Sequence, residues 1–352
     1  MEIDQTTADF IRRHAMDDVA ILALQAAKYP DVDMPAALNQ IAGRQRMRAK
    51  VPLWAATEGI VYPAHLPLEQ CSSEATARYK AELAIQTGEE RHTMADLTGG
   101  FGIDCAFLSP LFGRATYVER QKALCETARH NFALLGLHNI DIRHADSVEY
   151  LEQMEPVDLI FIDPARRDNH GGKTVAIGDC EPDVAALEPL LLEKARQVWV
   201  KLSPMLDIAQ ALHTLKHVQE AHVVSVANEC KELLLVLSRE ATLPAERVPL
   251  HCANLQSRQP AFTFTRQAEQ ASPCPLAPAV RTYLYEPNAS LLKAGAFRNL
   301  TTIYKVEKLH PNSHLYTSDH LVPDFPGRKF RVEGCCGFGK KEVARLLGPD
   351  RK

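Results

Sequence analysis

Residues Met94 to Asp104 read MADLTGGFGID, and the rest of the chain can be counted from them. Met94 to Leu97 form the apolar end of a buried strand. Thr98, Gly99, Gly100 and Gly102 make a glycine-rich turn, and Ile103 to Phe107 start a helix. A strand, a glycine turn and a helix in that order open a nucleotide-binding α/β unit. Glycine admits positive φ and lets a ligand approach the backbone, and the helix start adds N–H groups with no partner inside the helix. The dinucleotide fingerprint G-x-G-x-x-G/A does not fit. With Gly100 and Gly102 as its first two glycines, Cys105 stands where the third belongs. The turn instead carries an acid at each end, Asp96 and Asp104.

Downstream of the turn, strands and helices alternate. Arg114–Glu119, Ile140–His144, Val157–Asp163 and Val198–Leu202 read as strands two to five. Gln121–Gly136, Val184–Ala195 and Ile208–Leu215 read as helices, the first stopped by glycine. Strands separated by helices of this length predict a parallel doubly wound sheet. His222–Ala227 and Glu232–Ser238 read as a closing hairpin around Asn228–Lys231.

The acids flanking the turn resemble motif I of class I S-adenosylmethionine-dependent methyltransferases, whose ligand carries an amino group, a sulfonium, a carboxylate, a ribose and an adenine but no pyrophosphate. The turn alone leaves that family and other nucleotide-binding α/β proteins equally open; the closing hairpin is typical of the methyltransferase sheet. The resemblance implies a cofactor site at Asp96, Thr98, Gly99, Gly100, Gly102 and Asp104. Glu119 follows Asp96 by 23 positions, near the ~20 of a ribose-binding acid, and its two oxygens can accept from both hydroxyls. Its other reading is a helix N-terminal acid favoured by the dipole. Asp146 stands where the class I pattern accepts from the adenine amino group, with Ser147 beside the ring; it also reads as the cap of a helix Val148–Met154. Before the first strand, CSSEATARYKAEL (71–83) reads as a helix capped by Ser72 or Ser73. A helix there closes over the methionine end in class I enzymes. That makes Tyr79 and Lys80 candidate pocket residues, against a packed tyrosine with a surface lysine.

DLIFIDPARR (158–167) places Asp163 and Pro164 where strand four leaves the sheet, and ligands of open parallel sheets sit beyond the carboxyl ends of strands. Asp-Pro there resembles motif IV of methyltransferases acting on nucleic acids, and DPAR looks most like RNA enzymes that methylate uridine at carbon 5. The resemblance gives Asp163 and Pro164 the catalytic positions. Enzymes acting on exocyclic amines carry an aromatic after the prolines; Ala165 and Arg166 stand here instead. Uridine chemistry needs a cysteine after strand five, where this chain reads Lys201-Leu202-Ser203-Pro204. Arg166 and Arg167 suit a substrate phosphate or a salt bridge within the domain, and Lys201 is a third candidate substrate contact. His170, Gly171, Gly172 and Lys173 extend the loop.

The 352 residues predict two or three domains. A net charge of −4 confines any nucleic-acid contact to a local patch. Residues 1–30 carry no signal peptide, and no run reaches the ~18 apolar residues of a membrane span. Nine cysteines, an odd number without C-x-x-C spacing, point to a reducing cytoplasm and disfavour a zinc ribbon or a disulfide scaffold; no metal is expected. Cys335 and Cys336 read as a redox pair or as small free thiols. In the leader, Thr7–Ala27 has the apolar spacing of one helix, interrupted by Pro30 and Pro35. GRQRMRAK (43–50) reads as a solvated helix end or an RNA contact.

Beyond residue 240 prolines recur. Val248–Leu255 and Ala261–Arg266 read as added strands, Tyr283–Glu307 as strand, turn and helix, Lys329–Glu333 as a strand and Val343–Leu347 as a helix. CSSEATARYKAEL, DLTGGFGID, FIDPARR, YLYEPNASLLKAGAF and LHPNSHLYTS together resemble a bacterial class I methyltransferase family with a ferredoxin-like segment and a THUMP-like tail. The resemblance implies a helical region over 1–90, a Rossmann-like seven-stranded class I domain over 91–240, and added strands over 241–275. A small α+β C-terminal region follows, ferredoxin-like over 276–320 and THUMP-like, shortened, over 321–352. It also implies S-adenosylmethionine as cofactor and RNA as substrate. A small-molecule or protein methyltransferase, and an RNA-binding protein without catalysis, stand beside it.

Overall fold

The computed structural model describes residues 3–63, 65–86, 91–166 and 177–347. In Met1–Lys201, a unit that also takes in Leu237–Arg239, runs of apolar residues form strands β1 (Thr93–Asp96), β2 (Arg114–Glu119), β3 (Ile140–His144) and β4 (Val157–Ile162). A small antiparallel ribbon, β5 (Ala165–Arg166) with β6 (Cys180–Glu181), precedes β7 (Ala195–Leu202). The five longer strands lie parallel in the order β7-β4-β1-β2-β3. The chain winds outward from β1 to β3, then returns to the other side of β1 for β4 and β7. That reversal opens a crevice beyond the carboxyl ends of β1 and β4, where doubly wound sheets bind ligands. The register sets Asp96 opposite Tyr117 and Phe161, so the polar residues ending each strand emerge along one edge.

The leader departs from the expected single helix. Gln5–Arg13 and Val19–Leu24 are separate helices, because Asp18 accepts the N–H groups of Ala20 and Ile21 and restarts the chain as a new helix. Pro35 does not interrupt a helix; it stands in the first turn of Met34–Lys50, where its missing N–H costs nothing. GRQRMRAK lies in that helix, with Arg44 donating to the Ala55 carbonyl at 3.1 Å and Lys50 to that of Leu68 at 2.9 Å. Its basic residues are thus in part tied to backbone. Phe10, Leu22, Met34, Ala37 and Ile41 form one core. A second core joins leader to sheet: Met47, Trp54 and Tyr62 meet Phe101, Tyr117 and Phe132, with Trp54 edge-on to Phe101 at 4.8 Å.

The other unit, Leu202–Val236 and Glu240–Lys352, carries β8 (Val218–Val226), β9 (Glu229–Ser238), β10 (Leu250–Leu255) and β11 (Phe262–Phe264), in the order β11-β10-β8-β9. β8 and β9 are the expected hairpin. Positive φ at both loop residues, Ala227 and Asn228, matches the right-handed twist of the strands. Together β1–β4 and β7–β9 supply the seven strands anticipated for a class I methyltransferase, and β10 and β11 are additions. A separate antiparallel sheet follows: β12 (Tyr283–Pro287), β13 (Glu307–Lys308), β14 (Tyr316–Ser318) and β15 (Gly327–Arg331), ordered β13-β14-β12-β15. Two helices, Ala289–Ala294 and Arg298–Tyr304, replace the single one expected; Gly295, at φ 80°, ends the first. Because β15 pairs with β12 from Gly327 to Arg331, this small sheet continues past residue 320. Among the described residues no helix is long and apolar enough to cross a membrane.

Candidate active site

A cavity of about 510 Å³ opens beyond the carboxyl ends of β1, β2 and β4. The glycine turn forms its floor. Thr98 N–H donates to Asp96 Oδ1 at 3.0 Å, and Thr98 Oγ1 accepts from Asp163 N–H at 2.6 Å, tying the turn to the end of β4. The glycines do different work. A Cβ on Gly99 would stand 2.2 Å from the Tyr117 ring, and one on Gly102 would stand 2.7 Å from Phe132. At Gly100, with φ at 54°, a Cβ would find nothing nearer than the Thr98 carbonyl at 3.8 Å. Its bare Cα therefore faces open cavity.

Glu119 ends β2 with both oxygens anchored: Oε2 accepts from Gly100 N–H at 3.0 Å and Oε1 from Gln121 N–H at 2.7 Å. Each oxygen keeps accepting capacity toward the cavity. Asp146 caps the helix Ser147–Gln153, its Oδ1 accepting from Val148 N–H at 2.8 Å, and Asp146 and Ser147 both line the cavity. Leu97, Leu124, Phe161 and Leu187 supply apolar wall.

A buried ionic cluster closes the inner end. Asp104, in the first turn of the helix Ile103–Leu108, takes three partners. Ser72 Oγ donates at 2.7 Å, Lys80 Nζ lies at 3.1 Å and Lys201 Nζ at 3.4 Å. Lys201 also reaches Ser72 Oγ at 3.1 Å and Asp163 Oδ2 at 2.5 Å. Burial drives the Asp104 carboxyl upward, but the two ammonium groups and the Ser72 hydroxyl outweigh it and hold it below the usual carboxylate range. Asp96 has no such compensation. Burial, with the charges of Asp104 and Asp163, lifts it to about 8 despite the Thr98 N–H and Lys201.

Asp96, Thr98, Gly99, Gly100, Gly102, Asp104, Glu119, Asp146, Ser147, Asp163 and Lys201 all line this one cavity. Pro164 is buried next to it, and Ala165 lines it. Tyr79 does not line it, and Lys80 is fully buried rather than on the surface. From the same segment Ser73 caps the helix Glu74–Gln86 through Thr76 N–H, which leaves Ser72 for the ionic cluster. Arg166 lies in β5, and its side chain is outside the described residues, as are Arg167, His170, Gly171, Gly172 and Lys173. Sequence reasoning missed Cys71, whose thiol burial pushes up, and the rim at Glu181–Asp183.

Comparisons with known proteins bear on this site. A family model for protein-L-isoaspartate(D-aspartate) O-methyltransferase matches residues 72–168, and one for a ferredoxin-like domain matches residues 283–326. No curated protein matches the sequence. Among solved structures, a Porphyromonas gingivalis W83 protein described as a "putative methyltransferase" is 36% identical, with a TM-score of 0.85 over 98% of this chain and 86% of that one. An S-adenosylmethionine-dependent methyltransferase from Agrobacterium tumefaciens is 16% identical, with a TM-score of 0.37 over 47% of this chain and 62% of that one. A Pyrococcus horikoshii protein described as a "putative RNA methyltransferase" is 14% identical, with a TM-score of 0.41 over 56% of this chain and 100% of that one. At those scores the last two have no bearing on substrate.

Proposed function

We propose a function from one premise: the chain belongs to the methyltransferase family of the Porphyromonas gingivalis protein and is an S-adenosylmethionine-dependent methyltransferase. From it we infer that the enzyme methylates a base in RNA, of the tRNA or rRNA kind. One observation carries this reading. Asp163-Pro164-Ala165-Arg166 leaves β4 at the carboxyl edge, with the Asp163 carboxylate one-third exposed at the cavity and aimed by Lys201.

The residues fit an adenosine-bearing cofactor. A cavity of about 510 Å³ falls in the small-molecule range of roughly 300–1,000 Å³. Gly100 leaves room for close approach, Glu119 offers anchored oxygens for ribose hydroxyls, and Asp146 with Ser147 would take the adenine edge. When bound, S-adenosylmethionine supplies a methyl carbon already activated by its sulfonium, so alignment is the protein's main contribution. Asp163 orients the acceptor or takes its proton, and the Asp163–Pro164 backbone sets the acceptor's height. Lys201 directs the carboxylate more than it touches substrate. Arg166 and Arg167 follow directly and would meet a substrate phosphate. The tail helix Lys340–Leu347, in the segment with THUMP-like resemblance, adds exposed Lys340, Lys341 and Arg345. Carbon-5 uridine chemistry is not favoured, because β7 runs directly into Ser203-Pro204 with no cysteine at its end, and burial pushes the Cys71 thiol up. The isoaspartate likeness over residues 72–168 favours a protein acceptor as the second reading.

The test is transfer of labelled methyl from S-adenosylmethionine to RNA from a strain lacking the gene. Label should appear in RNA nucleosides. Asp163→Ala should lower turnover by ~10²-fold or more, the range for loss of a positioned acid–base group, and leave cofactor affinity nearly unchanged. Label in protein, with none in RNA, would replace this reading by the second.

A further inference from the structure

Glu220, His222 and His251 converge within the second unit on strands β8 and β10. The period of two along a strand puts Glu220 and His222 on one face of β8. The parallel register sets His251 directly opposite His222, and the two rings stack at 4.7 Å. Glu220 Oε1 lies 3.4 Å from His222 Nε2, and Oε2 lies 3.2 Å from His251 Nε2. One donor atom from each residue lies within 4.8 Å of the others. A tetrahedral cation with bonds of about 2.0 Å spaces its ligand atoms by about 3.3 Å; each imidazole already stands near that distance from one of the two Glu220 oxygens, His222 from Oε1 and His251 from Oε2.

A second observation concerns the other nitrogen of His251. Its Nδ1 lies 2.9 Å from Thr263 Oγ1, and Thr263 stands opposite it in the β10–β11 register. With the Nδ1 proton donated to that hydroxyl oxygen, Nε2 presents its lone pair to the Glu220 side. Metal-binding histidines are held in this way, by a hydrogen bond from the nitrogen that does not coordinate. His222 is only 3% exposed, whereas Glu220 and His251 are half-buried, so the group is walled on one side and open on the other.

We propose that Glu220, His222 and His251 bind a divalent transition cation of the zinc class, with three protein ligands and one position left open. Two imidazoles and one carboxylate suit Zn²⁺, Co²⁺, Ni²⁺ or Fe²⁺ and disfavour the all-oxygen preference of Mg²⁺ and Ca²⁺. None of the three residues lines the cofactor cavity. The cation clips β8 to β10 inside the second unit, and its binding does not depend on the methyl-transfer reading.

The full chain is titrated with Co²⁺ followed by visible absorption, and with Zn²⁺ by calorimetry. One equivalent of Co²⁺ should give the intense visible bands of low coordination, and Zn²⁺ should displace it. His251→Gln and Glu220→Gln, both at half-buried positions, should each weaken binding by at least tenfold. Thr263→Val, which leaves the three ligands in place, should weaken it by roughly tenfold, the lower end for loss of an outer hydrogen bond. The proposal is overturned if no Co²⁺ binds, if affinity is unchanged in His251→Gln and Glu220→Gln, or if a thiolate-to-cobalt charge-transfer band places the ion on cysteine. If His251→Gln fails to fold, Glu220→Gln and Thr263→Val decide between the outcomes.

Discussion

Replacing Lys201 by Met removes the ammonium that lies 2.5 Å from Asp163 and 3.4 Å from Asp104. Breaking a buried ion pair from one side costs about 3–5 kcal/mol. Here the cost should be lower. Asp104 keeps Lys80 at 3.1 Å and Ser72 at 2.7 Å, and Asp163 is one-third open to water. We expect a loss of about 2–3 kcal/mol. Asp163→Asn alone leaves Lys201 paired with Asp104 and should cost about 1 kcal/mol. In the double variant neither charge faces a missing partner across that contact. Its cost should fall short of the sum of the single costs by about 1 kcal/mol or more, as for coupled neighbours. The chain has two tryptophans, Trp54 and Trp199; both lie in the first unit and are fully buried, so their fluorescence during urea denaturation reports this unit. Single costs that add within about 0.5 kcal/mol would refute an energetic link between Lys201 and Asp163.

Gly100→Val should abolish S-adenosylmethionine binding in calorimetry, since its side chain would project into open cavity from a backbone at φ 54°; Gly99→Ala should instead unfold the unit against Tyr117. Asp96, lifted to about 8 in the fold from an ordinary 3.8, holds more protons folded than unfolded between about pH 4 and 8. Its contribution to stability therefore falls as pH rises through that window. Asp96→Asn should gain on wild type between pH 5 and pH 8 in denaturation midpoints, and parallel curves for the two proteins would contradict the burial assigned to it.

The sheet was legible because its signals are local. Arg114–Glu119 and Ile140–His144 fall on β2 and β3 residue for residue, each an extended run between a glycine or asparagine and a helix start. The glycine turn, Glu119 and Asp163 were legible for the same reason, as they sit at strand ends. What failed depends on distant partners. A lysine on a helix looks alike whether solvated or buried. Lys80 is buried only because Asp104, 24 positions on, meets it inside the core. The ribbon β5–β6 has two residues per strand, too few for any period to register. Glu220 and His222 carry the alternation of a strand face, but the third member, His251, arrives from a neighbouring strand and no spacing rule anticipates it.

The partners of Asp104 carry a lesson about inheritance. Ser72 and Lys80 come from the leader, Lys201 from the last strand of the first unit, and Phe101 in the glycine turn leans on Trp54. The catalytic core is therefore not a cassette that can be lifted out at residue 91. A transplant beginning there would bring the glycine turn intact but strip Asp104 of two of its three partners and bare an aromatic ring. Leader and core can only be borrowed, shuffled or duplicated as one piece, and a chimaera that swaps either half must carry a serine and a lysine matched to the aspartate it receives.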